Sequence, residues 1–155
     1  GMSDGYILFN TAALSATSAT SWANTRPRAV GVTSVAFDPN NSSVAWATFA
    51  TFSGQSVYKS IDSGATWTVM PGSGSQVLPL APALCVVVDP ADSNRVYVAT
   101  DIGVFTSIDG GLNWYKEITN FANVSTDWLA ITTVGGRKLT AFTHGRGAWQ
   151  TTIVP

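Results

Sequence analysis

Charge is what this sequence has least of: Asp, Glu, Lys and Arg make up 11% of it, against about 25% in an ordinary globular chain. The formal net charge is −1 and Lys and Arg never cluster. The electrostatic footprint of a nucleic-acid binder is therefore missing, and nucleic acid is excluded as a partner. A single cysteine, Cys85, rules out an internal disulfide framework. In the apolar run Leu84-Cys85-Val86-Val87-Val88 it reads as a buried, unreactive thiol. There is no Cys/His cluster at metal-ligand spacing, no phosphate-cradling glycine loop ahead of a helix, and no Ser or Cys nucleophile beside a base. These absences argue for no metal and no cofactor. The apolar stretches fall short of the roughly 20 residues of a membrane-crossing helix, so no membrane partner is expected. No charged-then-apolar leader opens the sequence, yet low charge with abundant Ser and Thr fits a secreted or extracytoplasmic protein. Gly1 ahead of Met2 reads as a remnant of tag cleavage and is left out of the fold reading.

What is abundant is aromatic: six Trp, seven Phe and four Tyr in 155 residues, side chains that suit strands better than helices. The chain also repeats itself. Ser60-Ile61-Asp62-Ser63-Gly64-Ala65-Thr66-Trp67 returns 47 residues later as Ser107-Ile108-Asp109-Gly110-Gly111-Leu112-Asn113-Trp114. Upstream, Val35-Ala36-Phe37-Asp38-Pro39 returns at an offset of 51 as Val86-Val87-Val88-Asp89-Pro90. The difference is one insertion, placed in residues 49–55. A third copy runs through residues 128–154, where 138–143 aligns with 95–100. A period of roughly 40 to 50 residues is that of a four-stranded propeller blade.

Each copy resolves into short strands between turn residues. First strands are expected at 33–37, 83–88 and 129–134, nearly continuously apolar, as for strands covered on both faces. Asp-Pro-rich turns, or Gly135-Gly136, follow them. Second strands are expected at 44–48, 96–100 and 139–143, and third strands at 56–60, 104–107 and 148–153. Fourth strands, at 66–70 and 114–118, occur in the first two copies alone. The fold class is all-β: antiparallel four-stranded β-propeller blades with Asp-box hairpins, about three to three and a half per chain. Residues 30–76 and 77–119 form blades, 120–155 a short final blade, and 1–29 supply N-terminal strands that complete a blade. A closed propeller has roughly four to eight blades, so ring closure by a homo-oligomer, a two-fold dimer, is expected.

Both octapeptides match the Asp-box pattern Ser/Thr-x-Asp-x-Gly-x-x-Trp at every defined position. The chain thereby resembles the BNR/Asp-box superfamily of β-propellers, which includes sialidases, xyloglucanase-type glycoside hydrolases, the sortilin ectodomain and photosystem assembly factors. The segment Thr143-His144-Gly145-Arg146-Gly147-Ala148-Trp149 also resembles the last blade of xyloglucanase-like proteins with glycosyl hydrolase BNR repeats. The resemblance covers residues 30–155. It implies a fold, and fold does not imply function. It further implies that a hydrolase of this type splits its acid and base between two propellers, so this chain would hold one of them.

The Asp-box residues Ser60, Asp62, Gly64, Trp67, Ser107, Asp109, Gly111 and Trp114 read as structural. An Asp two residues before Gly in a tight hairpin accepts N–H bonds from its own turn, and the Trp covers it. Asp38 and Asp89 read as turn initiators. Loops of a blade alternate between faces, so the long irregular segments 49–55, 71–82 and 119–127 emerge opposite the Asp-boxes. Function concentrates on such loops, and the candidate ligand-binding residues there are Phe52, Asp101, Asp127, Trp128, His144 and Arg146. Each has a plainer role: His144 bracing its Gly-rich turn, Arg146 pairing with Asp101 or Asp127, Trp128 filling core. A glycosidase needs two carboxylates about 5 to 10 Å apart, for which Asp101 and Asp127 are the candidate catalytic pair; Glu117, the one glutamate, lies off this face. The reading that follows is a non-catalytic recognition or scaffold module for glycan or peptide. The alternative is a half-propeller of a glycoside hydrolase.

Overall fold

The computed structural model describes residues 1–118, 121 and 123–154. Fifteen strands follow one another with a single 3-10 turn, Ala13–Ser15, among the described residues. Strands β1 (Ile7–Phe9) and β2 (Ala23–Thr25) pair into an N-terminal ribbon. Blade A consists of β3 (Val32–Asp38), β4 (Asn41–Phe49), β5 (Val57–Ser60) and β6 (Thr68–Val69), hydrogen-bonded in that order. A small hairpin, β7 (Gly72–Ser73) with β8 (Gln76–Val77), links it to blade B. Blade B repeats the order with β9 (Ala83–Asp89), β10 (Asp92–Thr100), β11 (Gly103–Ser107) and β12 (Tyr115–Lys116). Blade C has three strands, β13 (Thr126–Thr132), β14 (Lys138–Thr143) and β15 (Ala148–Thr152). Neighbouring strands within each sheet are antiparallel.

The blades stack face to face through their first strands, with β9 packed between β3 and β13. This explains why β9 is apolar at almost every position. Alternate residues point to opposite faces, and here both faces are covered. Three apolar layers result. Ile7, Ala47 and Phe49 fill the space between ribbon and blade A. Trp46, Val57, Val86, Val98, Phe105 and Trp114 fill the layer between blades A and B. Cys85, Tyr97, Val104, Leu129, Ala141 and Ile153 fill that between blades B and C. Burying a Val- or Leu-sized side chain stabilises a fold by about 1.5–3 kcal/mol, so these layers, rather than the short hairpins, hold the blades together.

The register makes blades A and B equivalent residue by residue. Ala45 faces Ser60 in blade A as Val96 faces Ser107 in blade B. Trp46 thus corresponds to Tyr97, and Asp38 to Asp89. Both Asp-Pro turns are tied to the following blade. The Asp38 carboxylate accepts the Asn40 N–H and the Ser93 hydroxyl of blade B. Fully buried Asp89 accepts the Ala91 N–H and pairs with Arg137 of blade C, with Arg95 at 4.0 Å.

The N-terminal strands behave differently from a strand that closes the final blade. They pair with each other and pack on blade A, and among the described residues no strand pairs with the outer edge of β15. Ile7 opposes Thr25, just as the Met70 N–H bonds the Val57 carbonyl. Trp22 precedes Thr25 by the same three residues that separate Trp67 from Met70. The ribbon is therefore the third and fourth strands of a blade ahead of A, with an enlarged turn in place of the short turns at Ser60–Trp67 and Ser107–Trp114. Its apolar residues find their cover on blade A, where Trp67 Nε1 donates to Thr25 Oγ1.

Candidate functional site

The conspicuous carboxylates of the repeats are consumed inside their own turns. Asp62 accepts the Ser60 hydroxyl at 2.8 Å and both the N–H and hydroxyl of Thr66, at 2.8 and 2.6 Å. Asp109 accepts Ser107 Oγ, Asn113 N–H and Asn113 Nδ2 in the same arrangement. The serine hydroxyl takes the Gly64 or Gly111 N–H. Hydrogen bonds to the charged form, that of the Thr66 hydroxyl foremost, hold the Asp62 carboxyl down at about 2. Burial pushes the Asp109 carboxyl up, but the two Asn113 donors and Ser107 outweigh it and the net shift is downward. A carboxylate so held is a poor proton carrier at neutral pH.

The loops opposite these turns hold the other candidates. Asp101 sits in the two-residue turn between β10 and β11; its N–H donates to the Pro82 carbonyl and its carboxylate accepts Ser125 Oγ at 3.2 Å. The Ser125 carbonyl takes the His144 N–H, and His144 Nδ1 stands 3.4 Å from Asp127 Oδ2. Asp101, Ser125, Asp127 and His144 are thus one network joining blades B and C. The Asp127 and His144 side chains are 52% and 82% exposed, so their contact is screened by solvent. Arg146 makes no ion pair among the described residues; its carbonyl accepts Trp149 Nε1. Of the connecting loop at 119–127, Thr119, Asn120 and Ala122 lie outside the described residues.

Phe52 and Trp128 stand apart from that network. Phe52, 72% exposed, tops the β4–β5 loop, which is braced by Thr51 Oγ1 to Ser53 N–H and by Arg28 to the Gln55 carbonyl. Trp128 follows a bulge in β13 and is cross-strand to Phe142. Because its neighbour Leu129 points into the layer shared with blade B, Trp128 points out of the opposite face of blade C, half exposed. It is an end-face residue. The expected loop segment 71–82 is in part structural: it carries the β7–β8 hairpin, buries Leu78, and its Gln76 carbonyl accepts the Trp114 N–H.

Two cavities open between blades, and none of the candidate ligand-binding residues named from the sequence lines either one. The larger, about 530 Å³, lies between blades B and C, with Arg95, Tyr97, Glu117, Leu139, Trp149 and Ile153 in its wall. The second, about 340 Å³, lies between ribbon and blade A beside Leu8, Trp22, Phe37 and Trp67. The repeat register held part of the signal for the first: Tyr97 stands where blade A has Trp46.

No family model and no curated protein matches the sequence. Solved structures do. A GH74 xyloglucanase from Xanthomonas campestris matches over 76% of this chain at 18% identity with a TM-score of 0.58. An ancestral GH74 enzyme matches over 83% at 20% identity with a TM-score of 0.61. This chain spans 20% of the length of either enzyme. YCF48 bound to D1 peptide matches over 88% at 16% identity with a TM-score of 0.55, and 42% of that chain is covered. At such identities the likeness is one of fold, and with the blade topology it makes this chain an all-β segment of a β-propeller, three to three and a half blades of it.

Proposed function

We propose that this segment, of the BNR/Asp-box type, is a non-catalytic recognition and scaffold module that holds a glycan or a peptide on the loops opposite its Asp-box turns. The observation that carries the reading is the engagement of both candidate carboxylates. Asp101 accepts the Ser125 hydroxyl and Asp127 stands beside His144, and neither lines either of the two interblade cavities. Hydrolysis of a glycoside needs one carboxyl free to donate a proton and a second facing it across the sugar. What the face offers instead is an exposed Phe52 ring and Arg146, which makes no ion pair among the described residues, groups suited to stacking and to charge-assisted hydrogen bonds. A glycan or peptide occupant is in keeping with GH74 enzymes and a peptide-bound YCF48 among the similar structures.

The module works as part of a larger ring. Blade C turns Trp128 and Phe142 outward at one end, and Leu8, Trp22 and Phe37 are exposed at the other. A second copy of the chain is the partner that brings these two apolar ends together.

Isothermal titration with a xyloglucan oligosaccharide and, separately, with short soluble peptides tests the recognition. Phe52→Ala and Arg146→Ala should each weaken binding by about tenfold with the fold intact, a loss of about 1.4 kcal/mol. Unchanged affinity in both would end the assignment of this face. A hydrolase half-site is the second reading, favoured by the GH74 likeness, and release of reducing ends from the same oligosaccharide would establish it.

A further inference from the structure

The β4–β5 loop of blade A is longer than its counterpart in blade B, and an arginine from outside the blade fills it. Eight residues separate the paired Thr48 and Val57, whereas four separate Ala99 and Val104. Blade B closes its short turn through the Thr100 hydroxyl, which donates to the Gly103 carbonyl and accepts the Ile102 N–H. The longer loop is pinned at its ends by main-chain bonds, Ala50 N–H to the Gly31 carbonyl and Phe49 N–H to the Ser56 carbonyl. Its middle wraps around the guanidinium of Arg28, which lies in the segment joining β2 to β3. Arg28 Nη1 donates to the Gln55 carbonyl at 3.2 Å and Nη2 to Thr51 Oγ1 at 3.4 Å. Thr51 Oγ1 also accepts the Ser53 N–H at 3.1 Å. Gly54, with φ +78°, rests on the same group, for a Cβ there would stand 2.8 Å from Nη1 and 3.1 Å from Nη2. Phe52 lies between Thr51 and Ser53, on the part of the loop that these bonds hold, with its ring in solvent.

We propose that Arg28 is the positioning residue of the loop face: its guanidinium fixes the loop at Thr51 and Gln55, and so sets the place and tilt at which Phe52 meets a ligand. The inference rests on the recognition reading given above and adds the residue that orders its platform. A guanidinium suits the task because its planar fork holds two acceptors at once and lies flat beneath a residue without a Cβ. A lysine ammonium in the same place is a single point on a flexible stem. An aromatic ring on an unbraced loop loses its freedom only when the ligand arrives, and that ordering weakens binding. A loop ordered in advance does not carry this cost. Arg28 therefore acts through Phe52 and not by touching the ligand.

The test combines relaxation measurements on the nitrogen-15-labelled whole chain with titrations of a xyloglucan oligosaccharide and of short soluble peptides. Amide order parameters over residues 51–55 should be near 0.85 in the unaltered chain, and should fall below about 0.6 in Arg28→Lys and Thr51→Val. Thr51→Ser keeps the hydroxyl and should keep the order. Thermal melts of these variants should stay close to that of the unaltered chain, because this group lies outside the three apolar layers. Arg28→Lys should weaken whichever probe the unaltered chain binds by about tenfold, as Phe52→Ala does. Combined with Phe52→Ala it should weaken binding no further, since both changes remove the same platform. Loop amides that stay rigid in Arg28→Lys, or a double variant weaker than Phe52→Ala alone, would overturn the proposal. Binding that Arg28→Lys leaves untouched ends this inference alone, whereas an unaltered chain that binds neither probe ends the recognition reading and this role with it.

Discussion

Trp46 and Trp114 meet with their ring planes 85° apart, one indole from each of two neighbouring blades, over a glycine that has no room for a side chain. A Cβ on Gly111 would stand 2.7 Å from the Trp46 ring and 3.1 Å from Met70, and its φ is +95°. Gly64 has nearly the same φ, +97°, but its Cβ would meet Phe9 at an ordinary 3.6 Å. The glycine therefore serves the turn in blade A, and both turn and interblade packing in blade B.

Gly111→Ala should accordingly cost about 3 kcal/mol, the left-handed backbone and the overpacking adding together. Gly64→Ala should cost about 1 kcal/mol from the backbone alone. Urea denaturation of the two variants checks the order, and equal losses would remove the packing argument.

The buried pair of Asp89 and Arg137 joins blade B to blade C, with Arg95 as a more distant second partner. Removing one partner of a buried pair leaves a charge without its counter-ion. Arg137→Ala should destabilise the chain by about 3 kcal/mol, and Asp89→Asn should lose the pairing as well. Protection of the blade C amides from hydrogen exchange should fall first, since this bond and the apolar layer below it hold that blade.

Acid should loosen the turn at Asp62. The Asp62 carboxyl is held at about 2 in the folded chain, below its ordinary 3.8, by the Thr66 hydroxyl above all. A carboxyl lowered on folding contributes stability that is complete above the unfolded value and is lost as pH falls through the folded one. The contribution should thus be present at pH 5 and should fade between about pH 4 and pH 2. Asp62→Asn should flatten that part of the stability curve, a comparison that thermal melts at pH 5 and pH 2.5 provide. Its exposed position keeps the effect modest.

The apolar ends predict association. Light scattering on a sizing column should give a mass near twice 16.3 kDa, and Trp128→Ser should shift the chain toward monomer. A well-behaved monomer of the unaltered chain would sink the two-copy ring.

Much of this fold is written in the repeats. The octapeptides ending at Trp67 and Trp114 and the Asp-Pro turns at Asp38 and Asp89 fixed strand order, because turn chemistry is local. The fourth strands, expected at 66–70 and 114–118, shrink to Thr68–Val69 and Tyr115–Lys116, since outermost strands have one neighbour and few ladder bonds. The ribbon was harder to read. Its turn has lost the Asp and Gly, and only the spacing of Trp22 before Thr25 betrays its place. Arg137 was unremarkable in sequence, for nothing local says that a buried Asp89 lies one blade away. The interblade cavity likewise belongs to the stacking of blades, which no single repeat contains.

The most direct test of recognition without catalysis is a prolonged incubation of the chain with a xyloglucan oligosaccharide, followed for released reducing ends. The account predicts none above the buffer blank, with amide shifts at the loops of Phe52 and Arg146 reporting any bound sugar. Turnover by the unaltered chain that Asp101→Asn or Asp127→Asn abolishes would contradict it.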